Sequence, residues 1–205
     1  MIDLHTTATA NGYRVSIMLE ECELPYRVHA YDLMRGDHLK PAFLALHPVG
    51  RLPAIVDHVD GREVVAAGTQ AALQYLAEKT GRFLPTDPTG RAAAYTWAGV
   101  ATSDLSPAFS GQFTFSVLMA GQAPKALEYY EKLCLRFLGA LDARLATVPW
   151  LAGDEYSIAD MLAYSAAATS AKRYPGSVDA FPNVARWAAT VGARPAVQRG
   201  MRVPA

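Results

Sequence analysis

The sequence predicts a two-part chain, an α/β domain followed by an all-helical one. Three observations carry that expectation. Short strand-like and helix-like segments alternate up to about residue 80. A Gly-, Pro- and Thr-rich stretch, "TGRFLPTDPTG", then breaks the pattern at 80–90. Beyond it the apolar residues recur only at helical spacing, and no convincing strand follows. The implied division is 1–80 for the first domain, 81–88 for the linker and 89–205 for the helical domain.

Each element has its own signal. "MIDLH" is a short apolar run suited to a strand. From Asn11 to Leu24, Val15, Met18, Leu19 and Cys22 fall on one helical stripe, with Arg14, Glu20 and Glu21 off it, and Pro25 ends the helix. "YRVHAYDL" alternates like a strand, and "KPAFLALHP" is a short helix closed by Pro48. "PAIVDH" and "REVVAA" form a hairpin around Asp60-Gly61. A helix opens at Thr69 and stops at Gly81. The order β-α-β-α-β-β-α implies a sheet with a parallel first part and an antiparallel closing hairpin. Helices are expected at 89–118, 123–147, 157–172, 182–192 and 194–201. The fourth residue of "SIAD", Asp160, is placed to close a capping box with Ser157, a structural role that consumes it.

The bulk numbers exclude several functions. Of 205 residues, 51% are apolar and 19% charged, and 19 acids balance 19 Lys and Arg, so nothing favours nucleic acid or an anionic membrane surface. Two cysteines and five histidines show no metal-ligand spacing, and no GxGxxG turn is present. The absence of an export signal and of a long apolar run leads to the expectation of a soluble cytoplasmic protein with free thiols and no membrane partner.

Three places carry candidate chemistry. In "VAAGTQAALQYLAEKTG" a helix opens at Gly68-Thr69, where unpaired N–H groups and a hydroxyl suit an anion. "RLPAIVD" puts a proline at a strand start. If the Leu52–Pro53 bond is cis, the Leu52 main chain is free to pair with an extended ligand; an ordinary edge proline is the other reading. "TTATANG" sets Thr9 and Asn11 just before a helix, either as plain caps or as donors to a thiolate.

"MIDLH…NGYRVSIMLEECELPY", "LMRGDHLKPAFLALHPVGRLPAIVD", "LQYLAEKTG" and "PWLAGDEYSIADM" together resemble the cytosolic glutathione transferases. The similarity is nearest to the bacterial nu-like branch of disulfide-bond oxidoreductases and covers nearly the whole chain. It implies a thioredoxin-like N-terminal domain, an all-α C-terminal domain, a homodimer, and glutathione as co-substrate for a small electrophile or a disulfide. Thr9 and Asn11 match the residues near the thiol sulfur, in a branch where no Tyr, Ser or Cys serves as activator. Leu52 and Pro53 match the pair that holds the cysteinyl unit. His38 matches the residue reaching the glycine carboxylate, with Arg51 and Lys40 as nearby cations; an exposed loop histidine is the alternative. Arg136 falls where the branch places a cation for a second glutathione, or is simply an exposed helical Arg. Tyr95, Trp97, Phe109 and Tyr164 are candidates for the second-substrate pocket, against a core role for each.

One departure matters most. The family has Glu-Ser where this chain has Gly68-Thr69, so the anion grip is kept while the acid for the ammonium of the γ-glutamyl group is gone. His47 also replaces the usual Asn, and Gln70 stands where Gly is common. Three resolutions are open: Asp104 of the partner subunit supplies a carboxylate, Gln70 offers a neutral acceptor, or the fold serves another ligand. The last would make the chain a glutathione-independent isomerase, lyase or addition catalyst, or a non-catalytic binding protein.

Overall fold

The computed structural model describes residues 1–173 and 180–204. The chain forms two compact units. One comprises Met1–Leu84 together with the chain from Gly192 onward, and the other Pro85–Val191.

The first unit is built on a four-stranded sheet of order β2-β1-β3-β4. In β1 (Ile2–Thr6) Ile2, Leu4 and Thr6 are buried and alternate with half-buried neighbours, the pattern of a strand with one covered face. Helix α1 (Ala10–Glu21) crosses over to β2 (Tyr26–Ala30), which runs parallel to β1. A 3-10 turn (Asp37–Leu39) and α2 (Pro41–Leu44) lead to the antiparallel pair β3 (Ala54–Val59) and β4 (Arg62–Ala67). At the tip of that hairpin Asp60 has φ 50° and Gly61 φ 74°, the two left-handed residues a type I′ turn requires. Helix α3 (Thr69–Thr80) closes the unit and ends on Gly81 at φ 65°. Leu4, Val15, Ile17, Met18, Leu19, Ile55, Leu73 and Leu76 are fully buried between sheet and helices. Each such side chain contributes about 1.5–3 kcal/mol of transfer free energy.

The sequence stripe is right for Val15, Met18, Leu19 and Cys22, which are buried. It is wrong for Arg14 and Glu21, which are only 1% and 6% exposed. Their face of α1 is not left to solvent, because α9 (Pro195–Gly200) comes back from the far end of the chain to pack on α1. Arg194 grips both Glu21 oxygens, at 2.5 and 2.8 Å. Ser16 Oγ donates to the Gly200 carbonyl at 2.7 Å. Gly200 is needed there, since a Cβ would lie 2.6 Å from the Ile17 backbone.

The second unit is helical. The run expected at 89–118 is continuous, but it is α4 (Pro88–Gly99) and α5 (Ser106–Phe113) joined and followed by π-helical turns, Val100–Leu105 and Thr114–Leu118. Asp87 caps α4 by accepting from Gly90 N at 2.8 Å. Then come α6 (Pro124–Leu145), α7 (Ile158–Arg173) and α8 (Pro182–Gly192). The expected capping box is present: Ser157 Oγ accepts from Ala159 N at 3.2 Å, and Asp160 Oδ2 accepts from Ser157 N at 3.0 Å. Asp160 does more than that, because its Oδ1 also accepts from Leu151 N and from the Trp187 indole, at 3.0 and 2.9 Å. A fully buried carboxylate with this many donors is structural.

Candidate functional site

Strand register assembles the candidate site in the first unit. His5 pairs with Ala54 and Ala54 with Ala67, so the C-terminal end of β1, the N-terminal end of β3 and the C-terminal end of β4 finish at one end of the sheet. The segments attached there carry Thr9 and Asn11, Leu52 and Pro53, and Gly68 and Thr69. Residues far apart in sequence are thereby brought to one place.

Thr9 is the N-cap of α1, its Oγ1 accepting from Gly12 N at 3.3 Å. Capping uses an oxygen lone pair and leaves the hydroxyl hydrogen to donate, so cap and thiol-facing donor are compatible roles. The turn before the helix is tight: a Cβ on Gly12 would sit 2.1 Å from the Thr7 carbonyl oxygen, which only glycine avoids. Asn11 is exposed, and its Oδ1 accepts from Arg14 Nη1 at 2.7 Å.

The Leu52–Pro53 bond is cis. No hydrogen bond engages the Leu52 N–H or C=O among the described residues. The Pro53 carbonyl accepts from Gly68 N at 3.0 Å, which ties this loop to the start of α3. Among the described residues no side chain caps α3 at Gly68. Its first N–H groups, starting at Thr69, therefore face out of the helix end with the positive pole of the helix behind them.

Gly68 has φ 91° and ψ 155°, a backbone that side-chain-bearing residues adopt only with strain. Around the position its Cβ would take, the nearest heavy atom is His47 Nε2 at 3.9 Å. A side chain there has room, with an imidazole at van der Waals distance. Phe43, fully buried, backs this wall, its ring centroid 6.4 Å from that of His47 and 4.9 Å from that of Tyr31. Among the described residues His47 Nδ1 is buried without a hydrogen-bond partner, and so is His38 Nδ1 in the 3-10 turn. That turn packs on the loop before Arg51, the His38 carbonyl oxygen lying 3.0 Å from where a Gly50 Cβ would be. Arg51 is exposed, whereas Lys40 is engaged by Asp37 at 2.5 Å.

Gln70 is half-buried beside Thr69 in the first turn of α3. Asp104, Arg136, Tyr95, Trp97, Phe109 and Tyr164 all belong to the second unit. Asp104 is exposed in the first π-helical turn, and Tyr95, Trp97 and Phe109 lie along the same helical run, Tyr95 exposed and the other two half-buried. Tyr164 is a core residue, 9% exposed and set edge-on to Trp187 at 6.2 Å. Arg136 is exposed on α6, its guanidinium 5.0 Å from the Phe137 ring centroid.

Both cysteines are buried, and burial raises their pKa values, that of Cys134 to about 12. Burial disfavours the thiolate in both. Among the described residues no group of three or more His, Cys, Asp or Glu is placed to hold a metal, and no helix is long and apolar enough to cross a membrane.

Residues 10–79 match the family model of the glutathione S-transferase N-terminal domain, and residues 105–195 match that of the glutathione S-transferase C-terminal domain. The chain belongs to the glutathione S-transferase family. This transferase is 36% identical over 204 residues to the disulfide-bond oxidoreductase YfcG of Escherichia coli, covering 98% of this chain and 94% of the relative. A Pseudomonas fluorescens glutathione transferase family member solved with two glutathione bound superposes with a TM-score of 0.92 at 33% identity, covering 99% of this chain and 93% of that one. A Pseudomonas putida glutathione transferase with one glutathione disulfide per subunit gives 0.93 at 33% identity, covering 100% and 92%. The transferase thus has the fold the sequence predicts, a thioredoxin-like α/β part and an all-helical part.

One residue of the site escaped the sequence argument. Arg14 falls off the apolar stripe of α1, and its sequence signal is its position three residues after Asn11.

Proposed function

We propose that this protein is a glutathione-dependent enzyme, acting on a small disulfide or a small electrophile. The observation that carries the reading is the convergence of Thr9 and Asn11, the unpaired Leu52 main chain and the open start of α3 at one end of the sheet. A γ-glutamyl carboxylate fits the α3 N–H groups and the Thr69 hydroxyl. The cysteinyl unit fits the Leu52 main chain, and the thiol then falls to Thr9 and Asn11, whose donors favour the thiolate. His38 and Arg51 serve the glycine carboxylate, Arg51 from an exposed position.

The chemistry balances without a cysteine of the protein. A bound glutathione thiolate attacks one sulfur of a disulfide, forming a mixed disulfide and expelling the other sulfur as thiolate, which takes up a proton. A second glutathione, for which Arg136 is the candidate cation, resolves the mixed disulfide to glutathione disulfide and a free thiol. With an electrophile, the same thiolate displaces the leaving group and forms a thioether. Trp97, Phe109 and Tyr95 are the residues proposed to meet that second substrate.

The working form is proposed to be a cytoplasmic homodimer, and Asp104 of the partner subunit is the candidate acid for the ligand ammonium. Gly68 favours a second reading, in which the fold has moved to a ligand other than glutathione. Calorimetric titration with reduced and oxidised glutathione, followed by assays with hydroxyethyl disulfide and a chloronitrobenzene, tests the two. Heat at millimolar glutathione or below and turnover with either acceptor are expected. No heat at millimolar ligand refutes the first reading.

A further inference from the structure

Asn11 and Arg14 lie one turn apart on the same side of α1, the first exposed and the second 1% exposed. Arg14 Nη1 donates to Asn11 Oδ1 at 2.7 Å. A guanidinium has only donors, so it accepts one orientation of a side-chain amide and rejects the other. With its oxygen held on Arg14, the Asn11 NH2 end is left to donate elsewhere. Burial lowers the Arg14 pKa to about 10, so the group is still a cation near neutral pH and keeps selecting the oxygen.

We propose that Arg14 is a positioning residue that fixes the Asn11 amide with its donors toward the ligand sulfur. The role rests on the glutathione reading above. The terminal torsion of an asparagine is soft, and an amide free to turn presents oxygen as readily as nitrogen. Oxygen toward the sulfur stabilises the thiol, which can donate to it. Nitrogen toward the sulfur stabilises the thiolate, which can only accept. Arg14 therefore decides which form of the nucleophile the exposed amide favours, though it does not touch the sulfur. Thr9 follows the same logic, its oxygen turned inward to Gly12 N and its hydrogen left for the ligand.

The test is a double-mutant cycle on the full-length protein with glutathione and hydroxyethyl disulfide. Arg14→Met is expected to lower kcat about tenfold, the loss of one well-aimed hydrogen bond, while KM for glutathione changes less than about threefold. Arg14→Lys, again a donor-only head, recovers most of the rate. In an Asn11→Ala background the same Arg14→Met change is expected to alter kcat by less than about twofold, because the amide it acts through is gone. The ultraviolet thiolate absorbance of bound glutathione, titrated with pH, is expected to show a higher midpoint in Arg14→Met and in Asn11→Ala, with no further rise in the double variant. Equal losses in both backgrounds overturn the proposal and make Arg14 a packing residue. Should Arg14→Met not fold, Arg14→Gln takes its place in the cycle with the same two expected outcomes. Turnover without coupling removes only the role of Arg14; no turnover and no glutathione heat in the unaltered protein remove the glutathione reading and this role together.

Discussion

Placing a carboxylate at the start of α3 is the sharpest perturbation of this site. Gly68→Glu has room, since a Cβ there meets nothing nearer than His47 Nε2 at 3.9 Å. Its cost is in the backbone, because φ 91° lies where a side chain strains the main chain by about 1–3 kcal/mol. Loss of glycine freedom in the unfolded chain returns about 0.4–1 kcal/mol. The net destabilisation is therefore at most about 2.6 kcal/mol, or a Tm lower by up to about 10 °C for a chain of this size. Against that, a carboxylate bonded to the glutathione ammonium contributes about 1.5–3 kcal/mol, which is about ten- to a hundredfold in Kd. Titration calorimetry with reduced glutathione, beside thermal unfolding with and without ligand, reads both numbers. The expected variant is less stable when empty and binds glutathione at least about tenfold more tightly. A Tm drop with binding changed less than about threefold refutes the reasoning, because the ammonium would then be held elsewhere or the head would not lie at residue 68.

Three further outcomes are expected. Thr9→Ala combined with Asn11→Ala should lower kcat by about a hundredfold or more while weakening glutathione binding less than about tenfold; equal losses in both contradict a sulfur-facing role. Asp57 is nearly fully buried, and although burial pushes its carboxyl up, bonds from Lys79 and from the Tyr75 hydroxyl, each 2.7 Å, hold its pKa below the usual range. A lowered folded-state pKa stabilises above the unfolded value of about 3.9 and loses that stabilisation as pH falls through the folded value, so Asp57→Asn should cost about 1–3 kcal/mol at neutral pH and flatten the acid limb of the stability curve. A denaturation series from neutral to acid pH that stays parallel to the unaltered protein refutes the linkage. Gly200→Ala forces a Cβ to within 2.6 Å of the Ile17 backbone and should cost about 1–3 kcal/mol by chemical denaturation, whereas unchanged stability would mean that α9 does not seat on α1.

The secondary structure was legible because its signals are local. Alternation in Ile2–Thr6, the Asp60-Gly61 turn, the Ser157–Asp160 box and the prolines that open α4, α6, α8 and α9 each act within a few residues, and the elements follow them. The missed features involve partners distant in the chain. Helical spacing sets Glu21 off the apolar stripe, but Arg194 lies 173 residues away and makes it a buried ion pair. Tyr164 reads in sequence as a pocket candidate or, more often at helical spacing, as core, and packing against Trp187 puts it in the core. The two π-helical turns have no sequence pattern that separates them from the α-helix around them.

By itself the sequence determined the order and type of the elements, the hairpin, the helix ends and the resemblance that names the site positions. Only the tertiary structure decided which of those positions meet. The pairing of His5 with Ala54 and of Ala54 with Ala67 gathers three loops at one sheet end, and Arg14 donates to the Asn11 amide oxygen. The physical reason is range: propensity, capping and turn chemistry are fixed by near neighbours in the chain, whereas register, burial of charge and the orientation of an amide are fixed by atoms that become neighbours only once the chain has folded.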